Sequence, residues 1–293
     1  MNRSRIMIIV SFLLIFLLVS CQDQANEENN EETNNETEEN PTNDEQEKDE
    51  VENNDSEETD VEEVVQDDPV DEIETDDVEV EPLYRINQGN WVVEPITDEA
   101  ESKVALLTID DAPDKYALEM AETLKELNVP AIFFVNAHFI QTEEKQQILR
   151  DIYEMGFSIG NHTYSHPNLA EISEEEQKEE IIKLNELIEE IIGEKPVFFR
   201  APFGVNPDYT KEVVEEEGMV LMNWTYGYDW ESAYMNAEDL ADIMVNNPYL
   251  NDGANLLMHD REWTSQALPD IVKGLRDKGY QFVDPKSIQI PSE

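Results

Sequence analysis

The chain has 293 residues, and 70 Asp and Glu against 19 Lys and Arg give it a formal net charge of −51. That balance excludes a basic surface gripping nucleic acid or anionic lipid, and a single cysteine excludes an internal disulfide framework or a cysteine-built structural zinc site. With only 39% hydrophobic residues, part of the chain is expected to stay outside any packed core.

Three segments differ in composition. In residues 1–20, Arg3 and Arg5 precede an apolar run from Ile6 to Ser20. A membrane span needs about 20 residues, so this shorter run fits a secretory signal better. The only cysteine, Cys21, stands where the run ends, in Leu18-Val19-Ser20-Cys21. This resembles a bacterial lipobox, which implies cleavage before Cys21 and its lipidation; an incidental cysteine or an uncleaved anchor is the alternative. Residues 22–82 hold 29 Asp and Glu, one Lys, no aromatic residue and no glycine. Such a stretch buries too little apolar surface to offset its chain entropy and is expected to be a disordered stalk. Fully extended it would reach roughly 200 Å. The expected domains are therefore 1–20, a signal peptide; 21–82, the lipidated cysteine and acidic stalk; and 83–293, the folded part.

Within 83–293, short apolar runs alternate with amphipathic stretches. Val104 to Ile109 reads as a buried strand, followed by a helix with Ala117, Met120, Ala121, Leu124 and Leu127 on one face. Ala131–Val135 is the next strand, then a helix over about 143–155, then Phe157–Asn161. The helix over about 174–192 opens with the capping-box pattern Ser173-x-x-Glu176 and stops at Gly193. Val197–Arg200 follows, then a helix with Pro207 at its first position, and strands at 219–224, 254–258 and 280–283. Gly156, Gly218 and Gly279 each end a helix directly before a strand. Seven strands alternating with helices predict a parallel sheet with right-handed crossovers. Periodicity alone leaves both an open doubly wound sheet and a β/α barrel.

The polar residues cluster after strand ends: Asp110-Asp111, His162 with His166, Arg200 through Gly204, Tyr228-Asp229-Trp230, and His259-Asp260. Five clusters on one rim describe a site at the carboxyl ends of a barrel-like sheet. Taken alone, His162 and His166 fit a loop chelate or two solvated histidines. Thr163 and Pro167 argue against a helical zinc-protease pair. The two aspartates alone fit a cap or a turn equally well.

Taken together, the clusters resemble the polysaccharide deacetylase family, carbohydrate esterase family four, from about Leu106 to Phe282. Thr108-Ile109-Asp110-Asp111-Ala112 matches the family's T-F-D-D-G, and His162-Thr163-Tyr164-Ser165-His166 its H-[ST]-x-x-H. Arg200-Ala201-Pro202-Phe203-Gly204 matches R-x-P-x-[GN], Asp229-Trp230 closes D-x-x-D-W, and Leu257-Met258-His259 matches L-x-H. The resemblance implies a distorted, incomplete, seven-stranded β/α barrel. It also implies that Asp111, His162 and His166 hold a divalent metal, zinc first, with cobalt or nickel as alternatives. Three protein ligands with open positions describe a catalytic site rather than a structural one. Asp110 would be the general base, held by Arg200; His259 would be the general acid, held by Asp229. The Phe203 N–H, after Pro202, would face the oxyanion, while Trp230 and Leu257 would line the acetyl pocket. The implied activity is removal of N-acetyl groups from an envelope aminosugar polymer, peptidoglycan N-acetylglucosamine first. The alternatives are poly-N-acetylglucosamine, N-acetylmuramic acid, or wall-glycan binding with little turnover. The implied partners are wall glycan and, through the lipid, the outer face of the bacterial cytoplasmic membrane; nucleic acid is not one.

Two departures carry expectations. Ala112 in place of glycine predicts a different loop path after the metal aspartate, and Tyr226 in place of the fourth motif's first Asp predicts a change at the pocket rim. His138, Trp91 and Trp263 fit either sugar contact or ordinary packing.

Overall fold

The computed structural model describes residues 81–291. The signal-peptide, Cys21 and stalk expectations lie outside these residues, except for Glu81 and Pro82. An antiparallel hairpin opens the described chain, β1 (Tyr84–Ile86) with β2 (Val93–Pro95); the sequence pattern did not predict it. The seven expected strands follow: β3 (Val104–Ala112), β4 (Ala131–Val135), β5 (Ser158–Asn161), β6 (Phe198–Phe199), β7 (Val220–Leu221), β8 (Ala254–His259) and β9 (Gln281–Phe282). Between them lie α1 (Ala117–Glu126), α2 (Glu143–Glu154), α3 (Glu174–Ile192), α4 (Asp208–Glu216), α5 (Ala237–Val245) and α6 (Glu262–Asp277). No helix among the described residues is long and apolar enough to cross a membrane.

Every pairing in the seven-stranded sheet is parallel, in the order β7-β6-β5-β4-β3-β8, with β9 on the first residues of β3. The sheet curls. Beyond β7 the chain leaves β6 and meets the free edge of β8, where Thr225 N–H donates to Asn255 and Leu257 N–H to Tyr226. That shared segment makes the sheet a distorted, incomplete barrel, as expected. The caps also follow the sequence: Ser173 and Glu176 form the capping box of α3, and Gly193 ends it at φ 81°. Pro207 differs by one position, standing with extended ψ just before α4 rather than inside it.

Strand parity decides which residues reach the barrel interior, because successive side chains point to opposite faces. On β3, Ala105, Leu107 and Ile109 pack outward with the helices, leaving Leu106, Thr108 and Asp110 inside. On β8, Ala254, Leu256 and Met258 pack outward, so Asn255, Leu257 and His259 face in. Leu106, Ile132, Phe134 and Phe198 fill the lower interior, and the polar residues occupy the carboxyl end above them.

Candidate active site

Asp110 and His259 are direct neighbours in the β3–β8 register, which places two titratable side chains across one cleft. The cleft, about 410 Å³, is lined by Asp110, Asp111, His162, His166, Trp230 and His259, with Phe203, Leu257, Trp224 and Arg261 at its walls. A wider groove of about 650 Å³ beside β1 and α4 has no paired acid and base, so size alone does not locate the chemistry.

Arg200 holds the Asp110 carboxylate in place. Its guanidinium is fully buried and donates 2.7 Å bonds to Asp110 Oδ1 and Thr108 Oγ1, and a 2.9 Å bond to the Asn223 carbonyl. Burial pulls its pKa below the ordinary arginine value, while the Asp110 carboxylate opposes that pull. The plane lies 4.3 Å from the Phe134 ring centroid, so it is held by stacking on one face and by oxygens at the edge.

The same residue also fixes a histidine. The backbone carbonyl of Arg200 lies 2.7 Å from His162 Nδ1, and a carbonyl can only accept, so Nδ1 carries the proton. In the neutral ring Nε2 then presents a lone pair. Burial lowers the His162 pKa against the raising influence of Asp110 and Asp111, which favours that neutral ring. Its Nε2 lies 3.5 Å from Asp110 Oδ2 and 4.0 Å from Asp111 Oδ1, and His166 Nε2 lies 3.5 Å from Asp111 Oδ1.

These separations fit a metal. Tetrahedral zinc ligands at about 2.1 Å stand about 3.4 Å apart, and the three donor atoms of Asp111, His162 and His166 all lie within 4.8 Å of one another. The outer contact from His162 to a carbonyl is the kind that orients a metal-ligating imidazole. The backbone is shaped for the cluster as well. Six non-glycine residues among those described have left-handed φ, and four belong here: Asp111 at 59°, Thr163 at 69°, His166 at 59° and Phe203 at 59°. Such conformations cost about 1–3 kcal/mol each and collect where surrounding contacts enforce them.

On the opposite side, Asp229 is 1% exposed. Its Oδ1 lies 2.7 Å from His259 Nδ1, and its Oδ2 accepts from the His259 backbone at 2.6 Å and from Thr264 Oγ1 at 2.8 Å. Burial works against a charged His259, but the hydrogen bond and charge of Asp229, joined by Asp110 and Asp111, outweigh it and raise the pKa. Trp230 packs edge-on to that ring at 5.4 Å. The site thus brings together a carboxylate held by Arg200, an imidazole held by a buried carboxylate and three residues able to hold a metal, around one cleft.

Every site residue expected within the described chain falls in or against the cleft; Pro202 is buried beneath Phe203, which is 64% exposed. One expectation, Tyr226 at the rim, needs correction. Tyr226 is buried rather than at the rim, and its hydroxyl donates to the Met244 carbonyl. Ala112 is the last residue of β3, paired with Val135, so the left-handed turn sits one residue earlier, on Asp111. Trp263 is a support, donating its indole N–H to the Asp229 carbonyl at 2.8 Å, and Trp91 packs beside the core of the hairpin. His138 is exposed and stacks on Phe139.

Sequence reasoning missed Thr264, Asn255 and Gly227. A Cβ on Gly227 would lie 2.3 Å from the Leu257 carbonyl and 2.9 Å from the Trp230 ring. Asp260 was noticed but given no role; its carboxylate accepts from the backbone of Lys115 and Tyr116 and ties the loop after β3 to the end of β8.

Comparison with known proteins agrees with this geometry. The family model described as polysaccharide deacetylase matches residues 97–222. A peptidoglycan-N-acetylglucosamine deacetylase of Bacillus cereus is 31% identical over 195 residues, 64% of this chain and 69% of the relative. The crystal structure of a peptidoglycan N-acetylglucosamine deacetylase bound to a hydroxamate superposes with TM-score 0.57 at 30% identity, covering 62% of this chain and 86% of that one. A pseudoenzyme of carbohydrate esterase family four from Bacillus anthracis superposes equally well, with TM-score 0.57 at 27% identity, covering 62% and 63%. The extent of these matches, on a chain whose strand ends assemble the same motifs, places it in the polysaccharide deacetylase family.

Proposed function

We propose that this protein is a metal-dependent N-deacetylase of a cell-envelope aminosugar polymer, peptidoglycan N-acetylglucosamine first. The observation that carries this reading is the pairing of Asp110 with buried Arg200 on one side of the cleft and His259 with buried Asp229 on the other. A divalent metal at Asp111, His162 and His166, zinc before cobalt or nickel, would supply positive charge to polarise the amide carbonyl and acidify water. Asp110 takes the proton of the attacking water, and Arg200 prevents its carboxylate from rotating away. His259 gives its proton to the departing amine nitrogen, and Asp229 keeps the ring charged and aimed. Leu257 and Trp230 exclude water around the acetyl methyl group, and the Phe203 N–H faces the developing oxyanion.

The similarity to a pseudoenzyme supports a second reading, wall-glycan binding without turnover. Two variants of the full-length chain in detergent separate the readings and test the roles. Asp111→Ala should lose bound zinc and acetate release together. Asp110→Asn should keep zinc, since all three ligands remain, yet lose turnover by about 10²–10⁴-fold as expected for a missing general base. Loss of zinc from Asp110→Asn would require the roles to be redrawn, and a wild-type chain that binds glycan but releases no acetate would favour the module.

The proposal includes tethering through acylated Cys21 at the outer face of the cytoplasmic membrane, with residues 22–82 as spacer. The position of the sole cysteine directly after the apolar run supports it. Cys21→Ser should remove fatty-acid label and release the protein or leave its precursor; retained label would overturn the tether, because no second cysteine exists.

A further inference from the structure

Arg261 is unlike the other arginines among the described residues. Arg85, Arg150, Arg200 and Arg276 each donate hydrogen bonds to side-chain or backbone oxygens. Among the described residues, the Arg261 guanidinium makes none. Its nearest charged group is Asp111 Oδ2, 3.8 Å from Nη2, and the side chain is 43% exposed where it lines the catalytic cleft.

Two further observations point the same way. Arg261 occupies the N-cap of α6 without a side-chain cap bond, as do Tyr116 of α1 and Pro207 of α4, while Thr142, Ser173 and Asn236 cap α2, α3 and α5 by accepting a backbone N–H. Arginine has no acceptor and cannot cap, so local helix stability does not explain its presence. The charge balance of the cleft is also uneven. Arg200 neutralises Asp110, His259 pairs with Asp229, and Asp111 belongs to the metal-ligand cluster. Arg261 is left as a cation with open donors, on a folded segment with 41 acidic and 16 basic residues between 83 and 293.

A planar fork of N–H donors matches a carboxylate. Resting on the deacetylase reading above, we propose that Arg261 recognises a carboxylate carried by the glycan beside the scissile acetamide, the lactyl carboxylate of a muramic acid unit. In that sugar the lactyl ether is on C3 and the acetamide on the adjacent C2. A carboxylate on that short arm therefore accompanies the reacting carbonyl into the cleft, where a guanidinium 3.8 Å from a ligand oxygen meets it. The lactyl group belongs either to the deacetylated sugar or to its neighbour along the strand, and Arg261 biases the enzyme toward peptide-free strands whose carboxylates are unblocked.

The test compares peptide-free glycan strands bearing free lactyl carboxylates with the same strands converted to methylamides, using full-length zinc-loaded protein. For the wild type, kcat/KM should favour the free-carboxylate strand by about 10-fold, the scale of one charge-assisted hydrogen-bonded pair. In Arg261→Gln that ratio should fall to within about twofold of unity, and Arg261→Lys should restore part of it. Mass mapping of the lost acetyl groups assigns the carboxylate to the reacting sugar or to its neighbour. Calorimetric binding of the two strands repeats the comparison without turnover, so a chain that binds but does not cleave still tests Arg261 while refuting the deacetylase reading. A wild-type ratio near unity, or a ratio unchanged in Arg261→Gln, overturns the inference. So does loss of bound zinc from Arg261→Gln, which would make the residue a support for Asp111.

Discussion

Replacing Asp229 with asparagine tests directly the proposed role of His259 as general acid. Asp229 places one oxygen 2.7 Å from His259 Nδ1 and the other 2.6 Å from the His259 backbone nitrogen. An opposite charge within about 4–6 Å typically moves a pKa by 1–3 units, and this contact is closer than that. Asparagine keeps the volume but removes the charge that outweighs burial at His259. It also has one acceptor oxygen for three donors: the backbone N–H, the ring N–H and the Thr264 hydroxyl. If its NH₂ faces the ring, the imidazole favours the neutral tautomer with the proton on Nε2, which is too weak an acid to protonate the leaving amine. The alkaline limb of kcat/KM for acetate release should therefore move down by about 1–3 pH units, and a two-unit shift removes about 100-fold of the protonated form above both pKa values. Stability changes with the same sign. The raised pKa of His259 means the folded chain holds this proton more tightly, so the pair stabilises the fold below the ordinary histidine pKa. That contribution fades as pH rises through the raised value, and Asp229→Asn should flatten the slope in urea titrations. An alkaline limb left in place, with kcat/KM within about threefold of wild type at every pH, would remove His259–Asp229 from the proton path.

Arg200→Met should lower stability by about 3–5 kcal/mol in urea unfolding, because Asp110 is left as a buried unpaired carboxylate; Arg200→Met/Asp110→Asn should recover part of that loss although it has one more substitution. Gly227→Ala should cost about 1–3 kcal/mol by overpacking and reduce kcat, since the new methyl meets the Leu257 carbonyl and the Trp230 ring. Chelation should abolish acetate release and lower Tm, and zinc at 100 times its Kd should restore about 2.7 kcal/mol; Asp111→Ala should show no such response in Tm.

The seven strands of the large sheet, most helix ends and all five site clusters were legible because each rests on local chemistry. Ser173 with Glu176 and Gly193 specify α3 by capping, and the run Val104–Ile109 needs burial on both faces. The hairpin β1–β2 was not legible, since three-residue strands carry too few alternations to register. Tyr226 was placed at the rim because its neighbours in sequence are site residues, yet its hydroxyl finds the Met244 carbonyl in the core. Thr264 and Asn255 were invisible for a different reason. They are ordinary polar residues whose importance comes from partners 35 and 55 positions away. Parity was the signal left unused: counting alternate residues along β3 and β8 from their apolar runs would have put Asp110, Asn255 and His259 on one inner wall.

Residue 200 has two tasks written in different parts of the molecule. Its side chain steadies Asp110, the proposed proton acceptor, while its carbonyl sets the tautomer of a candidate metal ligand. Amino-acid replacement reaches only the first of these. The carbonyl is supplied by any residue at position 200, and its aim is set by Arg200 N–H bonding to the Asn161 carbonyl as β6 runs beside β5. A mutational scan would therefore score position 200 as a catalytic determinant and remain blind to its part in metal affinity. Losses of metal arising there would map instead to substitutions that shift β5, which carries that Asn161 carbonyl, such as a side chain at Gly160, whose Cβ would lie 2.5 Å from the Phe134 ring on β4.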